Sequence, residues 1–163
     1  MATTSPDNLG KVFKAYDVRG LVGEQLDEEL ARATGAAYVE VLGVDAMVIG
    51  YDMRPSSPSL AGAFAEGATA AGADVTMIGL ASTDQLYFAS GHLGLPGAMF
   101  TASHNPAAYN GIKMCRALAQ PVGMESGLAE IRDRVAAGVS TGGGPQRSIG
   151  AISSHDVLQA YAA

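Results

Sequence analysis

Residues 101–113, TASHNPAAYNGIK, place Ser103, His104, Asn105, Asn110 and Lys113 directly after the apolar run GAMFTA at 97–102. A serine hydroxyl is a weak nucleophile at neutral pH unless a base activates it or it already carries a group to pass on. His104 is its immediate neighbour, and on extended backbone adjacent side chains point to opposite faces, which argues against a direct Ser-His dyad. No G-x-S-x-G elbow surrounds Ser103, so acyl hydrolysis is disfavoured. Phosphoryl transfer suits the set better, because that chemistry is mostly positioning plus neutralisation of phosphoryl oxygens by cations. Lys113, Arg19 and Arg54 are the candidate cations, all expected on loops or strand ends. Asn105 precedes Pro106 and is thereby pushed out of helical geometry, which holds the Ser103 loop as an extended turn. Asn110-Gly111 reads as a second tight turn that brings Lys113 back towards the first.

The elements that must position these residues alternate in type. Residues 26–42 carry Leu26, Leu30, Ala33, Ala37 and Val41 near helical spacing, with acids in the first turn, and Gly43 stops the helix. AMVIGY at 46–51 is a continuous apolar run, the pattern of a strand covered on both faces. Ser57 as N-cap and Pro58 as first helical residue open a helix over 58–71 that Gly72 ends. Strands are expected at 74–79, 97–102 and 111–115, and helices at 83–90 and 124–137. The spacing therefore predicts a three-layer α/β/α domain: a mostly parallel, mixed sheet of about four strands with helices on both faces. Ligands bind at the carboxyl ends of strands in such sheets, which is where Ser103 falls.

The organisation expected along the chain is an N-terminal tail at 1–11, a domain at 12–140, and a linker at 141–150 containing TGGGPQR. Residues 151–163 have two competing readings, a helix that docks back and the first element of a further domain. The TGGG run lacks a following Gly-Lys-Ser/Thr, so it is not read as a phosphate cradle.

Composition narrows the function classes. The chain has 163 residues, 48% of them hydrophobic, and a formal charge of −6. An acidic chain of this kind is expected to bind neither nucleic acid nor an anionic membrane, although local cations can still bind small anions. Cys115 is the single cysteine, which fits a reducing compartment and a buried, apolar role. The first ten residues contain no apolar signal-peptide core, and a cytoplasmic location is expected. His92 and His155 lie outside the motifs and are expected at the surface or in loops.

FKAYDVRG at 13–20, GYDMRPSSP at 50–58 and TASHNPAAYNGIKM at 101–114 occur in that order, and together they resemble the α-D-phosphohexomutases. The resemblance implies interconversion of hexose 1- and 6-phosphates through a phosphoserine and a sugar bisphosphate, with Mg²⁺ and a hexose 1,6-bisphosphate as cofactors. By the same resemblance, Ser103 matches the phosphorylated serine, whose phosphate oxygen would also be a ligand to Mg²⁺. His104 and Lys113 match residues near the transferring group, one moving the sugar hydroxyl proton and the other neutralising charge. Arg19 matches the arginine beside the phosphoserine, so Ser103, His104, Lys113 and Arg19 form the expected catalytic set. Tyr16, Arg19 and Lys113 form the expected substrate-binding set, with Tyr16 edging the sugar cleft. Asp52 and Arg54 are expected to brace the site through an ion pair and turn contacts.

The match also has gaps. Proteins similar to this family carry a D-G-D-x-D-R metal loop, a G-E-M-S-G-H sugar loop and an R-x-S-G-T-E phosphate loop in later domains. None of the three occurs here, and Gly123 to Gly127 resembles the sugar loop only superficially. The chain looks like the first domain of such an enzyme. Alone it is expected to lack mutase turnover, and its uncovered domain interface is expected to favour self-association. The alternative is a non-catalytic module that binds sugar phosphates or associates with a partner.

Overall fold

A computed structural model describes residues 2–138 and 148–163. Where the sequence reading has a tail, the structure has a helix, α1 (Pro6–Val12), that buries Leu9 and Val12. The Ser5 hydroxyl caps it by accepting from the Asn8 N–H. There follow β1 (Val18–Leu21), α2 (Glu28–Leu42), β2 (Ala46–Tyr51), α3 (Ser57–Ala70) and β3 (Asp74–Leu80). The chain continues through α4 (Thr83–Leu93), β4 (Gly97–Phe100), β5 (Tyr109–Arg116), β6 (Gln120–Pro121) and α5 (Leu128–Ala137). It closes with β7 (Ile152–Ser154) and α6 (Leu158–Ala162).

The α/β/α class stands, and the sheet is wider than the expected four strands. Seven strands run in the order β1-β5-β4-β2-β3-β7, with β6 added to β5. Parallel pairing is confined to β4-β2-β3-β7, while β5 is antiparallel to β1, β4 and β6. The cause is connection length: a parallel crossover needs about a dozen residues or more, and the turn between β4 and β5 is shorter than that. Asn110 and Gly111, read from sequence as a tight turn, lie inside β5, opposite Gly20 and Arg19.

Period-two alternation divides the core in two. Met47, Ile49, Ala98, Phe100, Ile112 and Met114 face the larger cluster under α1, α2, α3 and α5. Val48, Met99 and Cys115 face the smaller one, with Leu86 and Ala89 of α4 and with Val157. The two central helices of the larger layer meet backbone to backbone. A Cβ on Gly35 would strike the Phe64 carbonyl, and one on Gly67 the Arg32 carbonyl, so glycine is required at this crossing.

Some local details differ from expectation. Ser56, not Ser57, occupies the N-cap position of α3, and Ser57 is its first helical residue. The helix expected over 124–137 is interrupted: Met124–Ser126 form a 3₁₀ turn, and Gly127, at φ 135°, separates it from α5. Residues 141–147 of the expected linker lie outside the described residues. The segment beyond them rejoins the sheet: β7 pairs with β3, and Tyr161 of α6 packs edge-on against Phe88 of α4 at 5.6 Å between ring centroids.

Candidate active site

Antiparallel pairing of β1 with β5 assembles the site. Arg19 stands opposite Gly111, and Lys113 is two residues further along the same face of β5. Both alternate with residues buried in the larger core, Val18 on one strand and Ile112 and Met114 on the other. They therefore project from the α4 side of the sheet. A side chain at 111 would block the pairing, because a Cβ there would lie 2.6 Å from the Val18 carbonyl oxygen and 2.9 Å from that of Thr101.

The result is a cleft of about 530 Å³ lined by, among others, Tyr16, Arg19, Tyr87, Ser103, Lys113 and Lys14. Its charged lining is three cations, Lys14, Arg19 and Lys113, with one carboxylate, Asp17. Asp17 sits 3.6 Å from an Arg19 Nη. Burial pushes the Asp17 carboxyl up from the usual carboxylate range, against the opposing pull of Arg19, Lys113 and Lys14. The Nε of Arg19 is buried and has no hydrogen-bond partner. An unmatched guanidinium N–H beside two ammonium groups is a donor set for an anion.

Tyr16 is lifted to 79% exposure by a tight turn in which the Lys14 N–H donates to the Asp17 carbonyl at 2.8 Å. Met124 holds that turn from the other side, donating its N–H to the Ala15 carbonyl, also at 2.8 Å.

Ser103 lies on the turn between β4 and β5 with its side chain exposed. Its φ of 52° is left-handed, a conformation that costs a non-glycine residue about 1–3 kcal/mol and persists only where its surroundings impose it. Those surroundings are dense. The Ser103 N–H donates to the Thr101 hydroxyl at 3.1 Å. Asn105 donates to the Ala102 carbonyl from both its N–H (3.0 Å) and its side chain (2.7 Å). The turn is thus held by hydrogen bonds, and at Ser103 it is left-handed where the sequence reading expects an extended turn.

Arg54, counted among the candidate cations, does not line the cleft. Its Nη atoms donate to the carbonyl oxygens of Ser103, Asn105, Pro106 and Tyr109 at 2.7–3.0 Å. Its Nε faces Asp52 at 3.4 Å. Asp52 in turn accepts from the Ser57 hydroxyl at 2.6 Å. Fully buried Asn110 donates to the hydroxyls of Ser56 and Ser57 at 2.8 and 2.9 Å. Ser57 is therefore a link in this network rather than a helix cap. The brace expected of Asp52 and Arg54 is present, and it extends to Asn110.

Ser103, Arg19, Lys113 and Tyr16 are brought together. His104 is exposed on the same turn and does not line the cleft. Lys14, Asp17 and Tyr87 line it without having been expected there. Lys14 and Asp17 flank Tyr16 in the FKAYDVRG motif and were legible in it. Tyr87 sits on a helix whose periodicity reads only as core, and burial raises its hydroxyl pKa. His92 stacks on Phe88 at 5.1 Å between ring centroids on the surface of α4. Cys115 is buried, as expected.

Among the described residues, no three His, Cys, Asp or Glu side chains gather to hold a metal ion. The donor set of this cleft fits an anion and does not fit Mg²⁺. No helix among the described residues is long and apolar enough to cross a membrane.

The family model for phosphoglucomutase/phosphomannomutase, α/β/α domain I, matches residues 10–141. A phosphomannomutase of Klebsiella pneumoniae is 48% identical over 121 residues, covering 74% of this chain and 77% of that one. The phosphohexose mutase of Xanthomonas campestris pv. campestris is 46% identical over 134 residues, or 82% of this chain and 30% of the relative. A phosphomannomutase of Escherichia coli is 48% identical over 121 residues, 74% of this chain and 26% of its own. The chain thus spans less than a third of the latter two. The crystal structure of a phosphoglucomutase/phosphomannomutase family protein from Burkholderia thailandensis superposes with a TM-score of 0.80 at 31% identity. It covers 99% of this chain and 35% of that one. With the β1–β5 cleft and the serine turn in place and the match running through all three motifs, the chain belongs to the phosphoglucomutase/phosphomannomutase family, at its α/β/α domain I.

Proposed function

We propose that this chain is the phosphoryl-carrying domain of a hexose-phosphate mutase, with Ser103 as the residue that holds the phosphoryl group. The observation that carries the reading is an exposed serine hydroxyl on a held, left-handed turn, at a cleft lined by Lys14, Arg19 and Lys113. In this reading the P–Oγ bond of phosphoserine breaks as a sugar hydroxyl oxygen bonds to phosphorus, giving a hexose 1,6-bisphosphate. The sugar hydroxyl proton passes to a base, for which His104 on the same turn is the residue of the set. The Ser103 Oγ is protonated as its bond to phosphorus breaks, a proton it gives up again on the return step. Return of the other phosphoryl group to Ser103 Oγ, with a proton back to the sugar oxygen, releases the isomeric monophosphate.

Arg19 and Lys113 act by neutralising the phosphoryl oxygens, the main form of catalysis open to a protein in this chemistry. Tyr16, exposed at the rim, offers a face to the sugar ring. Among the described residues no side-chain cluster would hold magnesium, so a phosphate oxygen at Ser103 would be one ligand and others would have to join it. A module that only bound sugar phosphates would use the same cations but would have no need of a serine held in an unfavourable conformation.

The test is intact mass of a full-length enzyme that carries this domain, after incubation with glucose 1,6-bisphosphate and Mg²⁺. A gain of one phosphoryl group that Ser103→Ala abolishes is expected, and a gain that persists in Ser103→Ala refutes the assignment.

A further inference from the structure

The Arg54 guanidinium is fully committed inside the protein. One Nη donates to the carbonyl oxygens of Pro106 and Tyr109, the other to those of Ser103 and Asn105. The Nε is paired with Asp52. A guanidinium has five N–H donors in a fixed planar fork, and five acceptors surround this one. Its side chain is only 12% exposed. With the four Nη donors used on carbonyls, the Nε facing Asp52 and the side chain outside the cleft lining, Arg54 does not serve the cleft as a binding cation.

What it controls is the shape of the turn. The four carbonyls belong to the left-handed Ser103 itself and to residues that follow it, as far as Tyr109 at the start of β5, so the fork ties the serine to the return of the turn into β5. The fork is itself anchored in α3, because Asp52 accepts from the Arg54 N–H at 3.0 Å and from the Ser57 hydroxyl at 2.6 Å. We infer that Arg54 is a positioning residue for phosphoryl transfer, setting the direction of the Ser103 hydroxyl through the four carbonyl bonds. The inference rests on the reading of Ser103 as the phosphoryl carrier. Positive charge alone could not tie the turn in this way, since an ammonium has three donors and no planar fork.

The test compares Arg54→Lys and Arg54→Ala with the wild type in a full-length enzyme that carries this domain. Phosphoryl uptake at Ser103 is followed by intact mass over a range of glucose 1,6-bisphosphate concentrations, and backbone hydrogen exchange is measured over residues 101–111. Small displacements of a reacting group cost on the order of 100-fold in rate, so a fall of that size in the saturating rate is expected for both variants. The half-saturating concentration should stay within about twofold of wild type, because Arg54 touches no ligand. Exchange should speed up in the serine turn and not in β2 or α3. Added guanidinium ion should restore part of the rate in Arg54→Ala, which a merely unfolded variant would not allow.

A wild-type rate in Arg54→Lys overturns the inference. So does an effect confined to the half-saturating concentration, which would make Arg54 an anion-binding group. If the wild-type full-length enzyme takes up no phosphoryl group, the Ser103 reading fails by itself. The exchange data then decide the clamp, and unchanged exchange over the serine turn in both variants would overturn it.

Discussion

Asn110 is the buried hinge pin of the serine turn, and replacing it by alanine tests the network most directly. Its side chain makes three hydrogen bonds, to the Ser56 and Ser57 hydroxyls and from the Gly111 N–H, all between 2.8 and 2.9 Å. At a net worth of about 1 kcal/mol each, Asn110→Ala should destabilise the domain by about 3 kcal/mol. In a chain of this length each kcal/mol lowers Tm by about 2–4 °C, so a fall of about 6–12 °C is expected. Asn105→Ala is the control. Its half-buried side chain makes one bond, to the Ala102 carbonyl, and should cost no more than about 1 kcal/mol, or about 2–4 °C. Thermal unfolding followed by circular dichroism reads both, with urea unfolding to check that the m-value is unchanged. Equal shifts in the two variants would refute the reasoning, because burial and bond count would then not decide the cost.

Two further outcomes follow from the packing and the charges. Gly67→Ala drives a Cβ into the Arg32 carbonyl and should destabilise by about 1–3 kcal/mol, whereas Gly62→Ala on the same helix meets nothing and should stabilise by about 0.5–1 kcal/mol. Urea denaturation that gives both changes the same sign would sink this account. The raised pKa of Asp17 means that, between the ordinary carboxylate pKa and the folded value, the folded state holds a proton which the unfolded state has already released. Its contribution is thus fully present below the ordinary carboxylate pKa and is lost as pH rises through the folded value. Asp17→Asn should remove that decline and gain on wild type above the window, so parallel stability profiles in urea unfolding across pH would contradict it.

Much of the site was legible because its residues are polar interruptions at the ends of apolar runs. Ser103, Lys113, Arg19 and Tyr16 were grouped from motifs alone, and the structure brings them to one cleft. The roles of Asn110 and Gly111 were misread because Asn-Gly is a strong turn signal, and here long-range pairing with β1 overrides it. β1 and β7 were missed for a related reason. Val18–Leu21 and Ile152–Ser154 are too short to show alternation, and β7 is exposed throughout. Arg54 was recognisable as a brace, but its commitment to four carbonyls was not, since backbone acceptors leave no trace in residue identity. The sequence likewise could not show that His104, next to Ser103, stays out of the cleft lining.

The pairing of β1 with β5 also sets the order in which the protein can assemble. Arg19 is made early, but its strand has no partner until residues 109–112 exist. The parallel strands β2, β3 and β4 and their helices can associate first, through connections that are short in sequence. The β1–β5 contact closes a loop across most of the domain, at a greater cost in chain entropy than the local connections. On the ribosome the phosphate-facing cations and the serine turn therefore come together only after nearly the whole domain has emerged. A nascent chain stalled before β5 would carry β1 without its partner strand, with a partly formed core and no cleft.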